Sequence, residues 1–209
     1  TYPLMQSGLG KMLMYLNPRH FSLLLLEKII FQKKCYKHIT CISEQCKKEL
    51  VQHYQLSPDD IDVIYNGVDI KVFSPHNRRA YRNTVRAQYA TAPDDVLVVF
   101  VGSGFKRKGL RHVILALSLI DTSQKVKLLI VGKGNVREYQ RFAQKKGVFD
   151  KLVFAGVCKH IHEIYAAGDI FVFPSEYDAF GTACLEAMAS GLPVIVSETS
   201  GVSEIITHG

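Results

Sequence analysis

Residues 174–193 are PSEYDAFGTACLEAMASGLP, and they follow the compact apolar run FVF of residues 171–173. Pro174 ends that run, so the pattern predicts a buried strand that leads into a polar loop. The good helix formers between Ala183 and Ala189 predict a short helix, which the Gly191–Pro193 segment ends. The first amides of this helix therefore face outward at the carboxyl end of a strand, and such amides bind anions.

Two carboxylates flank these amides. Asp178 lies in the loop, and Glu186 follows eight residues later, one turn into the helix. Gly181 lets the backbone approach a ligand closely, and Thr182 adds a polar group at the helix start. This set can hold a ligand with an anionic middle and hydroxyl groups at both ends, as a sugar nucleotide has. An ordinary strand–helix connection with solvated carboxylates explains the same pattern, so both interpretations stay open.

A second cluster, GSGFKRKG, occupies residues 102–109 between a predicted strand and a predicted helix. It is neither a dinucleotide fingerprint nor a nucleoside-triphosphate loop. Its distinctive feature is three consecutive cations, Lys106, Arg107 and Lys108, which can reach a diphosphate and stabilise its charge. A solvated basic turn is the alternative. Because no Asp-x-Asp or histidine cluster appears as a metal site, we expect these cations and the helix end, rather than Mg²⁺, to meet the diphosphate.

The chain past Pro93 alternates apolar runs with helical segments of about ten residues. The runs are at residues 96–101, 126–131, 151–155, 169–173 and 194–197, and helices are predicted at residues 110–120, 136–146 and 161–167, with a further basic helix at residues 77–89 before Pro93. This alternation predicts βαβ units around a parallel sheet, with the ligand site outside the carboxyl ends of its strands. Both clusters lie at such ends, as do Gly132, Gly134 and the pair Gly156–Val157.

The first part of the chain is different. Residues 38–43 predict a strand, Ser43 a cap for the following helix, and residues 61–65 a second strand that ends in a turn at Asn66–Gly67. Residues 21–37 predict a helix with a basic end. It can pack on a missing domain, or lie as an amphipathic anchor on anionic lipid.

The composition of the chain favours some of these interpretations and excludes others. A net charge of +7 and a pI near 9.1 favour anionic partners. Five cysteines without CxxC spacing indicate reduced thiols rather than a disulfide frame or a zinc site. The most apolar stretch, residues 21–31, is too short and too charged to span a bilayer. The chain starts without Met and ends inside a predicted helix, so we expect a fragment of a longer protein.

Three segments together resemble the family 4 retaining glycosyltransferases, which are two-domain enzymes of the twin-Rossmann type. PSEYDAFGTACLEAMASGLPVI resembles the family's signature, VIYNGVDIKVFSP its interdomain hinge, and SGVSEII the segment after the signature. The resemblance covers nearly all of residues 38–209. Within the family, VGSGFKRKG, HYQLSPDDIDVIYNGVD and the basic helix between them are most similar to the lipopolysaccharide core glucosyltransferase I type, which transfers glucose from UDP-glucose to inner-core heptose at the cytoplasmic membrane face.

The resemblance implies a role for each site residue. Lys108 and Arg107 would bind the diphosphate, Glu186 the ribose hydroxyls, and Asp178 the donor sugar. The remaining substrate-binding residues would be Gly102, Val157 near uracil, and the backbone of Phe180, Gly181 and Thr182. Most family members have Glu where this chain has Asp178, and the shorter arm bears on donor-sugar identity and on activity.

The resemblance also implies an organisation and an activity. Residues 1–65 would be the end of an N-terminal acceptor domain, residues 66–77 the hinge, and residues 78–209 a nucleotide-sugar-binding Rossmann-like domain that is cut at its C-terminus. The whole enzyme would move a hexose, expected to be glucose, from a UDP-sugar to a saccharide or lipid-linked saccharide, with retention and without a metal or other cofactor. Its place would be the cytoplasm, with peripheral contact to the inner membrane face and no nucleic-acid partner. The fragment alone would bind donor without transferring sugar. Alternatives are an epimerase-type sugar-nucleotide enzyme and a module that only binds donor or docks on a membrane.

Overall fold

The structure, a computed structural model, describes residues 18–32, 35–121 and 125–207. The chain divides into two compact units, Thr1–Tyr65 and Asn66–Gly209. The division falls at the start of the predicted hinge. The role of the first unit as an acceptor domain stays a prediction.

The first unit contains helix α1 (Pro18–Gln32), strand β1 (Ile39–Cys41), helix α2 (Glu44–Tyr54), a 3₁₀ turn (Pro58–Asp60) and strand β2 (Ile61–Val63). The two strands pair in parallel. Ser43 caps α2 as predicted, since its hydroxyl accepts a hydrogen bond from the amide of Cys46 at 3.1 Å. The core of this unit is formed by Cys41, Leu56 and Ile61.

Helix α1 is shorter than the predicted helix of residues 21–37, and residues 33–34 lie outside the described residues. Several of its apolar side chains are exposed, namely Phe21, Leu23, Leu25, Leu26, Ile29 and Ile30. Within the described ranges, no helix is both long and apolar enough to cross a membrane.

The second unit is a five-stranded parallel sheet with helices on both faces, which confirms the predicted fold class. Its strands are β3 (Val96–Val101), β4 (Val126–Val131), β5 (Leu152–Gly156), β6 (Ile170–Phe173) and β7 (Val194–Val196), in the spatial order β5-β4-β3-β6-β7. Its helices are α3 (Asn77–Gln88), α4 (Leu110–Leu117), α5 (Val136–Lys145), α6 (Ile161–Ala167) and α7 (Thr182–Ala189). The strand order reverses between β3 and β6, and this switch point is where doubly wound sheets bind ligands.

The sheet is buried on both faces. Val98 and Phe100 of β3 point into a core with Leu110 and Ile114 of α4. The alternate residues Leu97 and Val99 are also fully buried. Helix α6 packs against β3 and helix α7 against β6. Burial on both sides explains why the strands are continuous apolar runs rather than alternating ones.

Two predicted helices differ from the structure. The helix predicted to reach Ile120 ends at Leu117, where the hydroxyl of Ser118 donates to the carbonyl of Leu115 at 2.7 Å. Leu119 is exposed, so a longer helix would have no core to cover. The helix predicted at the end of the chain is instead a 3₁₀ turn, Gly201–Ile205.

Helix α3 is fixed to the sheet by a ladder of three arginines, Arg78, Arg82 and Arg86, which are spaced four residues apart. All three donate to the carboxylate of Asp169 over 2.7–3.1 Å. They also donate to the last carbonyls of α6, at Ala167 and Gly168. The carboxylate of Asp169 therefore offsets part of the charge of the three arginines, and the C-terminal end of the α6 dipole also favours them.

Candidate functional site

The site is built from the turns that follow the two strands at the switch point, β3 and β6. The amide of Glu176 donates to the carbonyl of Arg107 at 2.8 Å, and the hydroxyl of Ser175 donates to the same carbonyl at 3.1 Å. Gly109 has a φ of +74°, and a Cβ there would lie 1.8 Å from the carbonyl oxygen of Pro174. The backbone approach that Gly109 permits holds the cationic turn against the signature loop.

Two cations of that turn meet one carboxylate of the loop. Lys108 Nζ contacts Asp178 Oδ2, and Arg107 Nη1 lies 3.2 Å from the same oxygen and 3.0 Å from the carbonyl of Tyr177. The side chains of Lys108 and Asp178 are only 12% and 14% exposed, so water screens their attraction little. The sequence placed these residues at neighbouring strand ends, and the structure brings them into contact.

Lys108 is enclosed from several sides. Its ammonium lies 4.5 Å from the centroid of the Phe173 ring, and its methylene groups pack against Gly102, where a Cβ would come within 3.0 Å of them. Burial lowers the pKa of Lys108, and the adjacent Asp178 opposes this shift. The cation is therefore held in one position before any ligand arrives, which is the preorganisation that binding a diphosphate requires.

The loop continues directly into the N-terminus of α7. Asp178 Oδ1 accepts a hydrogen bond from the amide of Phe180 at 3.2 Å. Gly181, with a φ of +99°, is the N-cap, and Phe180 is buried. Thr182 is exposed and its hydroxyl accepts from Asn66 Nδ2 at 3.3 Å. The carboxylate that holds the two cations thus also fixes the turn that presents the first amides of α7.

Glu186 lies one turn further along α7 and is held by a residue that the sequence did not reveal. The Tyr165 hydroxyl donates to Glu186 Oε2 at 2.9 Å. Burial raises the pKa of Glu186, and the bond from Tyr165 opposes that rise. Tyr165 itself is fully buried, with ring contacts to Phe73 and Phe171. Among the described residues, none donates a hydrogen bond to Oε1.

The turns that follow β4 and β5 adjoin the cationic turn that follows β3. Gly132 has a φ of +133°, and a Cβ there would lie 2.2 Å from the carbonyl oxygen of Gly102. Its amide donates to the carbonyl of Gly156 at 2.7 Å. Val157 follows and is 62% exposed. The turns after β3, β4 and β5 therefore form one continuous edge, and Val157 has a free apolar surface at its far end.

The structure thus divides the predicted site residues into three groups. Lys108, Arg107 and Asp178 are in contact, and Phe180, Gly181 and Thr182 follow them along the chain. Glu186 is paired with Tyr165. Gly102 belongs to the cationic turn and packs on Lys108, and Val157 belongs to the turn after β5. Two grooves on the described surface lie along α4 and α5 instead, and of the residues singled out from the sequence only Lys106 of the cationic turn lines one of them.

Chemically, this edge offers two cations, a set of outward amides and a carboxylate with one free oxygen. Residues 82–209 match the family of glycosyl transferases group 1, and residues 7–72 match glycosyltransferase family 4. The chain belongs to the group 1 glycosyltransferases. The first match covers the whole of the site apart from Asn66, and the second covers most of the first unit.

Individual relatives agree with this assignment. An uncharacterized glycosyltransferase of Methanocaldococcus jannaschii is 32% identical over 173 residues, which are 81% of this chain and 44% of that protein. The lipopolysaccharide glucosyltransferase WaaG of Escherichia coli is 28% identical over 196 residues, which are 90% of this chain and 50% of WaaG. This group 1 chain therefore spans about half the length of the curated relatives it matches.

Solved structures show the same fold. A crystal structure of WaaG matches with a TM-score of 0.81 at 26% identity, covering 93% of this chain and 53% of WaaG. Anabaena Alr3699/HepE in complex with UDP-glucose matches with a TM-score of 0.75 at 25% identity, covering 92% of this chain and 54% of that protein. The parallel sheet with helices on both faces is thus that of known glycosyltransferases.

Proposed function

We propose that the protein to which this chain belongs is a retaining hexosyltransferase that uses a UDP-sugar, with glucose as the donated sugar. One observation carries the proposal: Lys108 and Arg107 meet Asp178 at the switch point of the sheet, beside the N-terminus of α7. Two fixed cations and a set of free amides suit a diphosphate. The named relatives support the sugar, since one is a glucosyltransferase and another was solved with UDP-glucose.

Each residue receives a role in this proposal. Lys108 and Arg107 bind the diphosphate and stabilise its charge as it leaves. The free oxygen of Glu186 accepts hydrogen bonds from the ribose hydroxyls, and Asp178 contacts the donor sugar once the diphosphate has taken over its cations. The main chain of residues 180–182 faces the sugar and phosphate, and Gly102 and Val157 lie beside the nucleotide.

The reaction follows from these positions. The acceptor hydroxyl oxygen bonds to the anomeric carbon on the face from which the diphosphate leaves, while the bond from that carbon to the diphosphate breaks. An oxygen of the leaving diphosphate takes the hydroxyl proton. The protein contributes position and electrostatic stabilisation, and no metal or cofactor enters the scheme.

The acceptor and the location belong to the same proposal. A saccharide of the lipopolysaccharide core, or another lipid-linked saccharide, would bind with the help of the part of the protein that this chain lacks. We place the enzyme in the cytoplasm, in peripheral contact with an anionic membrane. The exposed apolar side chains of α1 support that contact. Sedimentation of the chain with phosphatidylglycerol vesicles tests it, and a chain that stays in the supernatant would remove this part of the proposal.

Calorimetric titration tests the donor. UDP-glucose, UDP-galactose, UDP-N-acetylglucosamine and GDP-mannose are titrated separately into the full chain. We expect a uridine compound, UDP-glucose first, to bind in the micromolar to millimolar range, and the guanosine compound to bind more weakly. Preference for GDP-mannose would contradict the proposal. In the full-length enzyme, conversion of labelled UDP-glucose without any acceptor would instead indicate an epimerase.

A further inference from the structure

A second arginine-rich ladder lies on α5, away from the donor site. Arg137, Arg141 and Lys145 follow each other at intervals of four residues and are all exposed. Four-residue spacing puts them on one face of the helix, along about 12 Å of its axis. Arg111 of α4 joins them, with its guanidinium carbon 4.0 Å from the centroid of the Phe142 ring.

These four cations line a groove. Its volume is about 560 Å³, and its other lining residues are Asn135, Glu138 and Phe142. Pockets of roughly 300–1,000 Å³ accept small organic ligands. A second, smaller groove shares Arg111 with it and extends to Lys106 and Glu176. The cations thus surround a concave space of molecular size rather than a flat surface.

The contrast with α3 shows what this ladder lacks. The arginines of α3 have the same spacing, and all of them converge on Asp169. Among the described residues, no carboxylate lies within 4.0 Å of a charged nitrogen of Arg111, Arg137, Arg141 or Lys145. Glu138 lines the groove, but its recorded partner is Asn135, whose amide donates to it at 3.2 Å.

This arrangement costs the helix stability. Like charges four residues apart repel each other, and Glu138, three residues before Arg141 on the same helix, offsets only part of this repulsion. An external anion would offset it. Arginine's planar fork binds phosphate through two parallel hydrogen bonds, and Arg111 is already held in place on Phe142.

We propose that this groove binds a small sugar carrying two phosphate groups. The row of cations is about 12 Å long, so a single phosphate group would leave most of the cations unpaired. A ligand with two phosphate groups can pair with cations along the row. The Glu138 carboxylate and the Asn135 amide can hydrogen-bond sugar hydroxyls. The volume of the groove suits a discrete small ligand. The site is separate from the proposed donor site, since neither Lys108 nor Asp178 lines it.

Titration of fructose 1,6-bisphosphate into the full chain tests this inference. Saturating UDP is present, so that the proposed donor site is blocked. We expect saturable binding with one site, weakened at least tenfold by the double substitution Arg137→Gln/Arg141→Gln. The matched control is Arg79→Gln/Lys159→Gln, which removes two exposed cations elsewhere and should change the affinity less than twofold.

The outcomes separate the alternatives. Absence of binding, or equal losses in the two double variants, would overturn the proposal, because the second result reports net charge alone. Binding to phosphatidylglycerol vesicles through Arg137 and Arg141 without binding of the bisphosphate would also overturn it. Thermal unfolding checks folding: the groove variant should be about as stable as the parent, since it relieves like-charge repulsion on α5 and no ion pair within 4.0 Å is lost. Lys108→Ala should leave bisphosphate binding intact, so this proposal and the donor proposal can fail separately.

Discussion

At the scale of single residues, the site depends on side chains that are oriented by a neighbouring residue and that could also bind the proposed ligand. Tyr165 holds Glu186 Oε2, and Asp178 holds Lys108 and Arg107. Each of these contacts fixes the orientation of a group that the proposed ligand would use. Substitution of the holding residue therefore tests the site without removing the binding group itself.

Tyr165→Phe should weaken donor binding about tenfold and change stability little. The ring still packs on Phe73 and Phe171, but Glu186 loses the hydrogen bond that orients it. That bond also keeps the pKa of Glu186 down, so its loss raises the pKa further. In the proposed complex the ionised Glu186 carboxylate accepts hydrogen bonds from the ribose hydroxyls, so UDP affinity falls when Glu186 is protonated. In Tyr165→Phe this fall in affinity at acidic pH should begin at a higher pH than in the parent. Calorimetry of UDP binding across pH measures both effects.

Tyr81→Phe is the control for this variant. Tyr81 contacts the ring of His162 on the neighbouring helix and is not part of the site. It should leave the pH profile unchanged. A profile that is the same in Tyr165→Phe and the parent would show that Tyr165 does not position Glu186.

UDP affinity should fall at alkaline pH as Lys108 loses its proton, and we call the pH of this fall the alkaline limit. Asp178→Asn should move the alkaline limit to lower pH. Burial lowers the pKa of Lys108 and Asp178 opposes that shift, so removal of the carboxylate charge lowers the pKa further. As pH rises through the lowered pKa, Lys108 loses the charge that binds the diphosphate. Asp178→Glu, which keeps the carboxylate charge, should keep the alkaline limit. The same alkaline limit in the parent and in Asp178→Asn would show that Asp178 does not influence the ionisation of Lys108.

Some of these residues could be predicted from the sequence, and others could not. Lys108 and Asp178 could be predicted as neighbours because the carboxyl ends of parallel strands share one edge. Their direct contact could not, since it depends on side-chain conformation and on Gly109. Tyr165 was missed because it lies on a different helix from Glu186, and its sequence context is that of an ordinary core residue.

At the scale of elements, the arginine ladder of α3 fixes a helix that has little apolar surface of its own. Burial alone would raise the pKa of Asp169, but the amide of Leu97 and the guanidinium groups of Arg82 and Arg86 outweigh it and lower the pKa. Arg86 is 3% exposed, so it depends on this carboxylate for its charge balance.

Asp169→Asn should therefore destabilise the chain by about 3 kcal/mol, because it leaves the buried guanidinium group of Arg86 without a counter-charge. The contribution of Asp169 is present above about pH 4 and is lost as pH falls through its lowered folded-state pKa. Urea unfolding at pH 7 and pH 3 measures it. The parent should lose stability over that range more than the variant does.

Asp94→Asn is the matched control. Asp94 forms an exposed pair with Lys125 and should contribute little. Equal effects of the two substitutions would show that the ladder is no stronger than a surface ion pair. The basic character of α3 was visible in the sequence, but its partner was not, since a charge pattern does not show which strand end a helix covers.

At the scale of the whole second unit, the strand order explains the site. The alternation of strands and helices predicted a parallel sheet, but not the order β5-β4-β3-β6-β7, which places the cationic turn and the signature loop side by side. In a different order the same two segments would lie at separate edges of the sheet. The family resemblance added what the pattern lacked, because it implies that both segments belong to one nucleotide-sugar site, which stays a prediction.

The central claim is that Lys108 and the start of α7 bind the same diphosphate. Calorimetric titration of UDP and of UMP into the full chain tests it most directly, with Lys106→Ala as a control in the same turn. We expect UDP to bind at least tenfold more tightly than UMP to the parent and to the control, and Lys108→Ala to lose most of that difference. An unchanged preference for UDP in Lys108→Ala would contradict the account.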